Sequence, residues 1–185
     1  MAATIKIYRL TGSLGGGASP DYTDKTTGSI RASTSDVPTP GTTNPIPIPS
    51  SGCNHSYWVT TALYSACAPD NSITNIKWYT DGTNSFGTGV ECLVATASGY
   101  NQATGTSGSS GVLLNITNNV AVQTAASDAF TYTVAAASTL AVSGSIAATT
   151  GCIGDRFVLW QLTVGSTAGV GNTVEETFTF KYDEA

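Results

Sequence analysis

The chain has 185 residues, enough for one domain with a substantial core, and charged side chains make up only 10% of it, with a formal net charge of −5. Its seven Lys and Arg are spread singly and leave no basic stripe for a phosphate backbone, and no apolar run approaches the roughly 18 residues of a membrane span. Four cysteines, Cys53, Cys67, Cys92 and Cys152, form no C-x-x-C pair and stand beside a single histidine, spacing that argues against a thiolate zinc site. No nucleic acid, membrane, metal or other cofactor is therefore expected.

In chain order, the first strand signal is TIKIYRL (4–10), with Ile5 and Ile7 on one face and Lys6 and Tyr8 on the other. The start MAATIKIYRL lacks the basic region and long apolar stretch of a secretory signal, which leads to an expectation of synthesis in a cytoplasm with reduced thiols. GSLGGG (12–17) lacks the Gly-Lys-Ser/Thr of a phosphate loop and reads as a flexible connection within 11–27. GSIRAS (28–33) reads as a short second strand.

The connection 34–52 then carries NPIPIP, with Pro45, Pro47 and Pro49 around Ile46 and Ile48. Proline fixes φ and removes a donor, and alternate residues of an extended chain point their N–H groups to opposite sides. The segment can pair along one edge only. It is either a capped edge inside the domain or an extended arm laid on a neighbour.

Further strands are expected at SYWVTTALYSA (56–66), ITNIKWYT (73–80), VECLVAT (90–96), AFTYTV (129–134), TLAVSGSI (139–146), DRFVLWQLTV (155–164) and TVEETFTFKY (173–182). In the last, Phe178, Phe180 and Tyr182 oppose Thr177, Thr179 and Lys181, the pattern of a half-buried strand. SDAFTYT could open with a turn of helix, and GVLLNITNNV (111–120) reads as irregular. No window of a dozen residues holds helical spacing, and Gly or Asx-Gly signals break the chain every ten or so residues. The expected fold is a single all-β domain, 1–185: an antiparallel β-sandwich of about eight or nine strands, jelly-roll-like or immunoglobulin-like, with long Thr/Ser/Gly/Pro loops.

Catalytic patterns are scarce. His55 lies two residues from Cys53, but a Cys–His pair also needs an orienting third group, so a strand-start histidine is the plainer reading. No G-x-S-x-G elbow occurs. Glu175 and Glu176 are neighbours that a strand would send to opposite faces, and Asp81, Glu91, Asp128 and Asp155 stand at turns or strand ends. TDGTNSFGTGVE (80–91) departs from a calcium loop, since Asp81 is followed by glycine, and reads as a hairpin turn. Trp58, Trp78 and Trp160 lie in apolar strand patterns and read as core, which leaves Phe86 and Tyr100 as the loop aromatics able to anchor a partner.

A short first strand, a long Thr/Ser/Gly/Pro loop, NIKWYTDGTNSFGTGVE and the ending ETFTFKYDEA together resemble the β-rich accessory proteins of tailed-bacteriophage particles, of the capsid decoration (cement) type. The resemblance implies a non-enzymatic virion protein, made in the host cytoplasm, homo-oligomeric, with the major capsid protein or other virion proteins as partners. Its contact residues would be Pro45, Ile46, Pro47, Ile48, Pro49, Phe86 and Tyr100. The alternative reading is an extracellular carbohydrate-binding module or adhesin or filament subunit.

Overall fold

The computed structural model describes residues 3–13, 20–105, 115–119, 124–150 and 157–184. Among these residues ten strands form two antiparallel sheets that share one core, the all-β sandwich that the strand pattern predicts. The larger sheet runs β2 (Asp21–Asp24), β1 (Thr4–Thr11), β4 (Val59–Cys67), β9 (Phe157–Gly165), β6 (Val90–Ala97) and β7 (Ser127–Asp128), with β3 (Cys53–His55) also paired to β9. The smaller sheet has three strands, β10 (Thr179–Glu184), β5 (Ile73–Tyr79) and β8 (Leu140–Ala141). Among the described residues a single short helix, α1 (Ile116–Asn119), and two 3₁₀ turns complete the elements.

The centre of the large sheet is β9, and its composition explains its place. Val158, Trp160, Leu162 and Val164 enter the core between the sheets, whereas Leu159 packs outward with Tyr57, Trp58, Ala95, Ala97 and Ile116. Apolar residues on both faces suit a strand covered on both sides. Each large side chain fully buried there contributes about 1.5–3 kcal/mol.

Residues 53–61 run along one edge of β9 with an offset in the middle. Asn54 pairs with Val164 and His55 with Thr163, but Val59 pairs with Trp160 and Thr60 with Leu159, so one extra residue lies on the first strand. That is a β-bulge at 56–58. It sends Cys53 and His55 to the outer face and Val59 and Leu63 to the inner one, although all four have odd numbers. The regular alternation expected from 56 onward therefore starts only at Val59, and Tyr57 and Trp58 both join the outer cluster.

Other expectations are corrected. Residues 28–33 belong to no strand, although Ile30 and Ala32 do pack against the core. Where AFTYTV was expected to pair, Ala129–Thr131 is a 3₁₀ turn, because the Asp128 carboxylate accepts from Phe130 N at 3.0 Å and closes the chain locally. TLAVSGSI pairs only at Leu140–Ala141 and again at Ile146, with Gly144 at φ 93 in between. The last ladder begins at Thr179, and 172–178 belongs to no strand. Asp155 and Cys152 lie outside the described residues, as do 14–17 of GSLGGG and 111–114 of GVLLNITNNV.

Candidate functional site: an aromatic groove and a cysteine–histidine pair

Three strands cannot roof seven. Part of the inner face of the large sheet is covered instead by segments outside the strands, at 26–32, 45–48 and 168–178, and beneath them lies a cavity of about 1270 Å³. Trp78, Trp160, Phe178 and Phe180 form its aromatic wall, with Trp160 and Phe178 centred 5.3 Å apart and Trp78 and Phe178 5.1 Å apart. Ile7, Leu162 and Val164 continue the wall. The lips are polar: Ser29 Oγ donates to Glu175 Oε1 at 3.0 Å, and an Arg31 guanidinium nitrogen donates to Asn172 Oδ1 at 3.0 Å. These are side-chain bridges between two segments that share no ladder. Beside them, β10 pairs with β5 alone among the described strands, so its other edge carries no ladder.

The proline segment lies along its own domain. Thr34 donates to Asn44 O from its backbone N at 3.0 Å and from Oγ1 at 3.1 Å, and Asn54 Nδ2 donates to Pro47 O at 2.8 Å. Ile46 and Ile48 are half-buried against the core. Pro45, Ile46, Pro47, Ile48 and Phe86 line the groove, whereas Pro49 and Tyr100 are not among its walls. Phe86 is half-buried and meets Phe130 edge-on at 5.9 Å. Tyr100 is buried with Leu10 and Ala62 and donates its hydroxyl to Gly12 O at 2.8 Å. Burial, then the nearby Asp36 charge, raises its pKa. Its ring packs the interior instead of projecting as an anchor.

The acidic residues are occupied locally. Glu175 meets Ser29, and Glu176 accepts from Ser85 N. Asp81 accepts from Thr83 N at 2.8 Å, the turn chemistry expected of it. Asp24 meets Lys6 Nζ at 2.7 Å; that bond and those from Thr26 pull its exposed carboxyl well below its ordinary range. Asp36, beside a shallow hollow of about 370 Å³, accepts from Gly12 N at 2.9 Å and Gln102 Nε2 at 3.0 Å. Among the described residues no three His, Cys, Asp or Glu side chains gather as metal ligands.

At the start of β3, Cys53 Sγ stands 3.9 Å from His55 Nε2, and His55 Nδ1 is 2.9 Å from Thr163 Oγ1 on β9. Two residues apart on a strand means the same face, so the nearness of Cys53 and His55 was implicit in CNHS. The third member, 108 positions away, was not. Burial lowers the pKa of His55, keeping the imidazole neutral near pH 7. Cys53 and Cys67 are exposed and free, whereas Cys92 is buried in the core and its thiol is pushed up chiefly by burial.

No protein-family model matches the chain, and no match is found among curated proteins or solved structures.

Proposed function

We propose that the chain is a non-enzymatic structural protein of a virus particle, of the capsid decoration type, which docks by taking an extended segment of a shell protein into the groove. The observation that carries this reading is the unpaired edge of β10 beside an aromatic-walled cavity. A strand laid there would satisfy backbone groups of β10 and send alternate side chains into the groove, the usual division of strand addition between affinity and specificity. Burying several apolar side chains at about 1.5–3 kcal/mol each is of the size needed to offset the estimated 4–15 kcal/mol cost of association.

The test is sedimentation of the purified chain with expanded shells that lack it. Co-sedimentation, with loss of binding when Phe180→Asp places a charge in the groove, is the expected result. A chain that stays in the supernatant, or that is missing from purified particles, rejects the reading.

A further inference from the structure

The pair at the start of β3 is separate from the groove, and its surroundings are unlike those of an incidental thiol. Cys53 is exposed, while its base is not: His55 is 6% exposed and Thr163 9%. The residue directly opposite Cys53 is Gly165, and Gly165 N in turn donates to Gly89 O, just before β6. Two glycines in that row leave the sheet beside the thiol without side chains of their own. In the next row His55 faces Thr163, and Thr163 faces Glu91. Among the described residues the titratable groups in these two rows are thus Cys53 on the same strand as His55 and Glu91 beyond β9, with Tyr57 next along the outer face.

We propose that Cys53, His55 and Thr163 are a nucleophile, a base and an orienting group, and that Cys53 is a covalent attachment site for acyl groups carried as thioesters. In this arrangement the working tautomer carries its proton on Nδ1 and donates it to Thr163 Oγ1, 2.9 Å away, which holds the ring with the Nε2 lone pair toward the thiol. His55 takes the thiol proton as Sγ adds to the thioester carbonyl carbon. The tetrahedral adduct then collapses: the old C–S bond breaks, its electron pair leaves with the departing sulfur, and His55 returns the proton to that sulfur. One thioester and one thiol become another thioester and another thiol, with no oxidant or reductant. Burial of the imidazole assists, because a neutral ring can accept the proton. Cys67 is an internal control, exposed and free, near the Lys6 ammonium but without a histidine, since His55 is the one histidine of the sequence, whereas Cys92 is shielded in the core.

The experiment exposes the intact chain to S-benzyl thioacetate at pH 7 and follows acetylation of Cys53 and Cys67 separately by peptide mass spectrometry. General-base assistance commonly gives about 10²–10⁴-fold; a tenfold or greater preference for Cys53 over Cys67 is expected. H55Q should bring Cys53 down to the rate of Cys67 and leave Cys67 unchanged, and T163V, which keeps the base but not its orientation, should fall between. The Cys53 rate should also decline as pH drops through the titration of His55, and H55Q should lose that step. Equal rates at the two thiols, or a Cys53 rate indifferent to H55Q in a chain whose Cys67 still reacts normally, overturns the proposal. Shell binding is not involved in the measurement, so either reading can fail without the other.

Discussion

Thr11 and Arg9 lie on one face of β1, both 1% exposed, and Thr11 Oγ1 and Arg9 Nε are buried polar atoms without a hydrogen-bond partner. Arg9 keeps one strong contact, a guanidinium nitrogen donating to Arg31 O at 3.1 Å, and stays charged because arginine does so even where burial lowers its pKa. A buried hydroxyl without a partner is a liability that an isosteric methyl removes. Thr11→Val is therefore expected to stabilise by about 1 kcal/mol, read as a higher urea midpoint with unchanged slope. A second residue-scale prediction concerns acid. Burial holds the His55 pKa below 6.5, so in the window beneath 6.5 the unfolded chain binds a proton that the folded chain refuses. The contribution of this group is full above that value and is lost as the pH falls through it toward the folded pKa. Urea midpoints at pH 7.5 and 5.5 should show the loss, and His55→Gln should reduce the difference between them.

Gln161 shows how elements are fastened to one another. It is fully buried on the outer face of β9, its Nε2 donates to Ser56 O at 2.8 Å inside the bulge, and its Oε1 accepts from Ile116 N at 2.8 Å at the start of α1. One side chain thus satisfies a carbonyl that the bulge strands and an amide that the helix start leaves over. Gln161→Leu keeps the volume and orphans both groups, so it should cost about 2–4 kcal/mol and raise amide exchange at Ile116 before global unfolding. The strands read most fully in advance, β1, β4, β5, β6 and β9, are those of seven residues or more, long enough for apolar alternation to outweigh local chemistry, whereas β10 and β8 were read with bounds wider than their ladders. β2, β3 and β7 have two to four residues and offer too few positions for a pattern. GSIRAS has the right alternation, but an extended segment becomes a strand only if a second backbone lies beside it, and which backbone does so is a property of the tertiary arrangement.

At the scale of the whole molecule, the mismatch between a seven-stranded and a three-stranded sheet creates the groove, and no single stretch of chain encodes it. The proline segment was legible as one that could not enter a sheet interior, and it does lie outside both sheets, yet its seat against its own core depends on Thr34 and Asn54. Tyr100 misled because a loop position said nothing of the Gly12 carbonyl waiting for its hydroxyl. If the groove is an open space for a partner, filling it from within should separate folding from docking. Ala32→Leu, on the groove wall, should leave the thermal midpoint the same or higher, adding up to about 1 kcal/mol as cavity-filling changes do, while shell co-sedimentation drops at least tenfold. The single surplus residue at 56–58 has a reach beyond its size. Because side chains alternate with a period of two, deleting that residue would reverse the phase of everything before it relative to β9: Asn54 would turn outward, and the thiol and imidazole would be driven into the apolar interior. A one-codon deletion there would invert one end of the strand, whereas the same deletion in the loop at 34–44 leaves the register on β9 untouched, so tolerance to length change should differ sharply between the two sides of β3.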